Sequence, residues 1–291
     1  MSSVVVDAHQ HFWRVAAQAQ DWRTPAHGAI ARDYAPADLG PELARAGVEH
    51  TVLVQSVDTQ DENDRLARYA RAAGFVAGVV GWLPLRDPAA ARAELERAAD
   101  GGWCGVRMLV GREPLDWLRR PDVVDHFREL AGRALAWDVV PVTAEQVTEV
   151  VRLAHAVPEL RIVVDHLARP PLDTGVREPW WSNVADLGEC PGVAMKVSVG
   201  IDLLTAWPWD PQGLQPYVDH VLDAFGAGRV MLASNWPVVA LRSGYVQAWR
   251  DLSAAVTAAG LDPDDAEVHG GTARRWYSLD STLAWLDGQR R

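Results

Sequence analysis

Short apolar runs alternate along this chain with longer stretches whose apolar positions recur at helical spacing. The first run, Val4-Val5-Val6, is β-branched and favours an extended backbone. It leads into Asp7-Ala8-His9-Gln10-His11-Phe12-Trp13, where alternation along a strand predicts Asp7, His9 and His11 on one face. Further strands are expected at 50–55, 76–83, 105–110, 138–142, 161–166, 193–199 and 229–235. Between them, Thr59 to Glu62 and Thr143 to Gln146 have capping-box form, while Asp87-Pro88 and Asp210-Pro211 place a cap before a proline at the first helical position. Helices are predicted near 38–46, 122–136, 181–187 and 244–259, a long loop at 14–36, and a helical tail from 262. Every strand is followed by a helix, and the strands are nearly continuous in apolar character, as in a parallel sheet covered on both faces. The expected architecture is therefore α/β: one (β/α)8 TIM barrel spanning 1–291 as a single domain. An open doubly wound sheet is the weaker alternative, since no Gly-x-Gly-x-x-Gly turn follows the first strand.

Composition narrows the class. The chain has 291 residues, 48% of them hydrophobic, enough for one large core. A formal net charge of -11 excludes nucleic acid and anionic membrane surfaces as natural partners and leaves a small molecule. Cys104 and Cys190 lie far apart without metal-binding spacing, no apolar run reaches membrane-spanning length, and the N-terminus lacks a signal-peptide layout. These features predict a soluble cytoplasmic protein and leave oligomeric state open. The 14 tryptophans can fill core or wall a pocket. Lys196 is the single lysine, and it sits inside an apolar strand.

In a barrel of this kind chemistry gathers at the C-terminal strand ends. Here those ends carry His9 and His11, Gln55, Trp82, Arg107, Thr143, Asp165-His166, Lys196 with Ser198, and Ser234-Asn235-Trp236. Two imidazoles on one strand end can face a single cation or substrate oxygen, or each bond to backbone on a half-buried strand. Asp165 has opposite parity to His166 and is assigned a structural role. Asp7 is expected to orient a histidine and to pair with Lys196, because a buried ammonium needs a partner.

Taken together and in order, several segments resemble the amidohydrolase superfamily, specifically the amidohydrolase 2 branch that contains sugar-acid lactonases. They are Asp7 to Trp13, Val54-Gln55, Gly105-Val106-Arg107, Val164 to Pro170, Lys196-Val197-Ser198, Ala233 to Val238 and Gly271 to Tyr277. The resemblance implies a carbohydrate-metabolising hydrolase that opens an aldonolactone, of the L-fucono or L-rhamnono type, to its acid. It implies that His9, His11 and His166 bind one divalent metal (Zn or Mn) or, in metal-independent relatives, hydrogen-bond the substrate carbonyl directly. Two departures stand out. No histidine lies in strand five, which limits the site to one ion, and Asn235 replaces the usual aspartate of strand eight. An amide cannot act as a base, a role worth roughly 10²–10⁴-fold.

The expected mechanism follows. The metal held by His9, His11 and His166 polarises the lactone carbonyl and ionises the water, which attacks from the side of Asn235, whose carbonyl oxygen orients it, with His166 and Arg107 in the catalytic set. Arg107 holds a hydroxyl or the developing carboxylate, or else forms a salt bridge at the barrel rim. Trp13, Gln55, Trp82 and Trp236 are candidate substrate contacts, and Trp207 is a candidate roof. The alternatives are a metal-dependent decarboxylase of the same branch and a low-activity sugar-acid binder.

Overall fold

The computed structural model describes residues 4–289. Its strands are β1 (Val6–Gln10), β2 (His50–Val54), β3 (Val76–Trp82), β4 (Trp103–Arg107), β5 (Ala136–Val139), β6 (Ile162–Val164), β7 (Val193–Val197) and β8 (Val230–Leu232). They form one eight-stranded sheet in sequence order, every adjacent pair parallel. Just beyond β8, Asn235 N donates to His9 O at 2.9 Å and His11 N to Trp236 O at 2.7 Å, so the last strand's extension meets the first. The expected TIM barrel is the observed fold.

Side-chain caps explain four of the helix starts. Thr59 and Thr143 accept from the backbone N–H of Glu62 and Gln146, and Asp87 and Asp210 cap the helices Pro88–Arg97 and Pro211–Phe225. Strands four and five begin two residues earlier than expected, at Trp103 and Ala136 rather than at 105 and 138. Gly102 and Ala134, both at positive φ (69° and 58°), end the preceding turns and let pairing start at once. The predicted loop after strand seven contains a short helix, Ile201–Ala206.

Inside the barrel, Val6, Ala8, Val52, Val54, Ala136, Val163, Ala194 and Met231 form one apolar cluster with Ala273, Tyr277, Leu279 and Leu283. The tail, helical at Thr272–Trp276 and Asp280–Gln289, thus stoppers the N-terminal end of the barrel. Gly270 allows this closure, because a Cβ there would lie 2.1 Å from the Val4 carbonyl oxygen. With that end packed, the opposite strand ends are left for chemistry.

Candidate active site

A bulge sets the first strand apart. Asp7 pairs with Thr51 and Gln10 with Leu53, so three steps along β1 match two along β2. Simple alternation therefore breaks, and Asp7 does not share a face with the two histidines. Asp7 accepts from Ser234 N (2.8 Å), Ser234 Oγ (2.6 Å) and Tyr245 Oη (3.2 Å) of the helix Tyr245–Ala258, and from His9 N (3.2 Å). It staples β1 to the chain after β8; it neither orients a histidine ring nor pairs with Lys196.

Lys196 instead lies 2.6 Å from Asp138 Oδ2, 2.9 Å from Asp165 Oδ1 and 3.1 Å from His9 Nδ1. Tyr277 of the tail donates to Asp138 at 2.7 Å, joining the stopper to this cluster. Asp165 is the hub of this cluster: it also takes Arg107 Nη1 at 2.9 Å and faces His9 Nδ1 at 3.2 Å. Burial alone would raise Asp165, but Lys196, His9 and Arg107 outweigh it and hold the carboxyl well below its ordinary range. Arg107 does form a salt bridge, yet inside the barrel and not at the rim; its Nη2 donates to Gln55 O at 2.8 Å.

His166 through Arg169 all adopt left-handed backbone, with φ of 55°, 53°, 52° and 56°. Such geometry costs about 1–2 kcal/mol per non-glycine residue. It turns His166 back toward the axis, so that Asp165 and His166, adjacent in sequence, both face inward. Parity along a regular strand would forbid this. Ser198 Oγ holds His166 Nδ1 at 2.8 Å and leaves Nε2 for the cavity. Asn235 is also left-handed (φ 54°), a pattern common where surrounding structure holds a functional group in place.

The protons of the imidazoles can be assigned from their partners. The Val54 carbonyl only accepts, so His11 Nδ1, 2.8 Å away, carries the proton and its Nε2 offers a lone pair. That lone pair faces His9 Nε2 at 3.1 Å. A proton on His9 Nε2 resolves the contact, and His9 Nδ1 then accepts from Lys196. A cation before both Nε2 atoms resolves it too, and His9 Nδ1–H then donates to Asp165. His9, Asp165 and His166 also present ligand atoms within 4.8 Å of one another, so the donor set fits one divalent ion. That trio holds Asp165 where the expected set held His11, which joins it through His9. Burial, with Arg107 next, lowers His11 to about 3; burial also brings His166 to about 4 and His9 well below its ordinary value. All three rings are therefore neutral at pH 7.

Above them opens a cavity of about 270 Å³. His11, Trp13, Arg107, His166 and Asn235 line it as expected; Gln55, Trp82, Trp236 and Trp207 do not. Gln55 turns its amide to Asp58 (3.0 Å), and Trp82 is held through its backbone by Asn63. Trp236 packs on Phe12 and Tyr34, and Trp207 on Trp209. Their places are taken by Trp22, Ser56, Ile201 and Asp202, which sequence reasoning missed. Trp22 comes from the long first loop and is fixed by donating to Ser56 O at 2.8 Å. The position of Asp202 just after strand seven was the available signal.

Asn235 Nδ2 donates to Val199 O at 2.8 Å, and its buried Oδ1 has no donor among the described residues. This orientation bears directly on restoring the aspartate. In Asn235→Asp one carboxylate oxygen would face the Val199 carbonyl, which favours the protonated acid, a poor base. The variant is expected to raise kcat/KM at pH 7 by no more than about threefold, well short of the ~10²-fold minimum for an added general base. Steady-state kinetics of the purified variant checks this; a gain of ~10²-fold would show that a missing base limits the reaction.

Known proteins resemble this chain over nearly its whole length. The family model described as amidohydrolase, Amidohydro_2, matches residues 6–279. An L-fucono-1,5-lactonase of Burkholderia ambifaria is 37% identical over 279 residues, covering 94% of this chain and 96% of that protein. An L-fucono-1,5-lactonase of Burkholderia multivorans is 31% identical over 307 residues, covering 96% and 97%. Among solved structures, an amidohydrolase from Burkholderia multivorans with bound zinc aligns with a TM-score of 0.84 at 27% identity, over 95% of this chain and 100% of that one.

Proposed function

The chain belongs to the Amidohydro_2 family of amidohydrolases, and from that premise we propose that it hydrolyses a sugar-derived (aldono) lactone to its acid, L-fucono-1,5-lactone being the first substrate to test. The observation that carries the reading is the unpartnered Asn235 Oδ1, buried in the wall of a cavity that also holds neutral imidazoles and a guanidinium. An acceptor so placed takes an O–H of the attacking water and aims its lone pair. Arg107, fixed by Asp165 and Gln55 O, turns its charge toward the carbonyl oxygen as it becomes negative. His166 Nε2 receives the proton that the water loses and returns it to the departing ring oxygen, so one C–O bond forms, one breaks, and the acid and alcohol stay in one molecule. A cyclic ester needs less help than an amide, which suits a site without a carboxylate at 235. The lactonase names of the relatives favour this reading over decarboxylation.

A divalent ion would be held by His9, Asp165 and His166, with His11 beside His9, and would supply Lewis acidity; it would then take the His166 Nε2 lone pair that otherwise receives the water's proton. The protein groups already balance without it, Arg107 and Lys196 against Asp138 and Asp165. Stripping metal with a chelator is therefore expected to lower kcat/KM by less than about tenfold, a smaller loss than removal of an electrostatic stabiliser normally causes. Elemental analysis alongside the assay checks this, and a loss of ~10³-fold would make the ion the electrophile. The function itself is tested with a pH indicator over aldono-1,5- and 1,4-lactones and aromatic carboxylic acids. Proton release from a lactone supports hydrolysis. Carbon dioxide from an acid, or binding without turnover above buffer, would replace it with one of the alternatives. No helix of the described residues is long and apolar enough to cross a membrane. We place the enzyme in the cytoplasm, acting in carbohydrate metabolism.

A further inference from the structure

Asp202 is the one carboxylate among the residues lining the cavity, which is otherwise walled by Trp13, Trp22, Leu109, Val140, Ile201 and Val238 around the reacting groups. It is half-exposed, and its Oδ2 is pinned by Arg169 Nε. Arg169 also holds Asp173 at 3.1 Å, so it is anchored on both sides. It ends the left-handed turn that begins at His166, so one backbone device aims the imidazole and delivers the guanidinium that fixes Asp202. The other oxygen, Oδ1, accepts from no donor among the described residues. It lies on the His166 side: a Cβ at Gly200 would sit 3.2 Å from Oδ1 and 3.6 Å from His166 Cδ2. Glycine at 200 lets both groups lie over the same stretch of backbone.

A fixed carboxylate with a free oxygen at the mouth of an apolar pocket is hydrated while exposed and needs a donor once a ligand covers it. Water supplies that donor in the open cavity; a ligand that displaces the water must bring its own. An unsubstituted lactone ring brings none, whereas an aldonolactone carries hydroxyl groups on its ring carbons. We propose that Asp202 is the specificity-determining residue that accepts hydrogen bonds from the ring hydroxyls of a polyhydroxylated lactone. The inference rests on the lactonase reading above. Arg169 is its positioning residue.

The test measures kcat and KM for L-fucono-1,5-lactone and for δ-valerolactone, in the wild type, Asp202→Asn, Asp202→Ala and Arg169→Met. Where δ-valerolactone turns over too slowly to follow, its Ki against the hydroxylated lactone replaces its KM. Asp202→Asn keeps an oxygen for Arg169, and thermal melting verifies that each variant is folded. Losing a hydrogen bond to a charged group costs about 10–100-fold. That loss is expected in kcat/KM for the hydroxylated lactone, carried by KM, with a change under about threefold for δ-valerolactone. Arg169→Met should shift the ratio of the two substrates in the same direction. Equal losses on both substrates would make Asp202 part of the chemistry and overturn the proposal, as would an unchanged KM for the hydroxylated lactone. Failure of the wild type to open either ring would remove the parent reading and this one with it. Turnover of both rings with an Asp202-independent ratio would remove this one alone.

Discussion

Replacing Lys196 with methionine is expected to destabilise the fold by about 3–5 kcal/mol, the usual cost of leaving a buried charge without its partner. Its ammonium is fully buried within 2.9 Å of two carboxylates that are themselves fully buried. Removing it leaves Asp138 and Asp165, side by side at the adjacent strands β5 and β6, with only Arg107 as a counterion, and Asp165 is already committed to that residue. The tail closes the floor beneath them, so no water reaches them from that end to compensate. Adding Asp138→Asn removes one of the stranded charges and should recover part of the loss. Contacting groups of this kind couple by about 0.5–3 kcal/mol. Urea unfolding of the single and double variants measures both values. A loss below about 1 kcal/mol for Lys196→Met, less than a buried ion pair's rupture, would mean that the cluster is not held together electrostatically.

Replacing Arg107 with lysine is expected to lower kcat/KM by about 10²–10³-fold, the range seen when a stabiliser of developing charge is lost. The fold should keep most of its stability, because a cation remains beside Asp165. The guanidinium works as a fork: Nη1 meets Asp165 at 2.9 Å while Nη2 meets Gln55 O at 2.8 Å, leaving the plane set against His9 Nε2 at 3.4 Å. An ammonium is a point charge on a more flexible stem and cannot satisfy the acid and the carbonyl while holding that aspect. The loss should fall on kcat, since the charge it meets develops in the transition state. A variant that loses only KM would move Arg107 from transition-state stabilisation to substrate binding.

The barrel was legible because its signals are local. Alternating runs, capping threonines and aspartates at 59, 87, 143 and 210, and prolines at the first helical position each act within a few residues. The histidines at the end of strand one and after strand six were legible for the same reason. Misreadings arose where one residue of backbone irregularity reversed a face. The bulge between Asp7 and Gln10 separated Asp7 from His9, and the left-handed turn at His166 brought that imidazole inward beside Asp165. Both break the two-residue period on which parity depends.

The partner of Lys196 was a different kind of question. A lysine within an apolar strand announces that some carboxylate must reach it, but strands five, six and one all offered candidates. Burial chose Asp138 and Asp165, while Asp7 was consumed by Ser234 and Tyr245. The same applies to the tryptophans, whose composition says nothing of which ring meets a cavity. From its order of residues alone, this protein was committed to eight βα units and to imidazoles at one mouth of the barrel. Which side chains share that mouth depended on closure of the sheet, because distances between residues far apart in sequence exist only once the chain has folded.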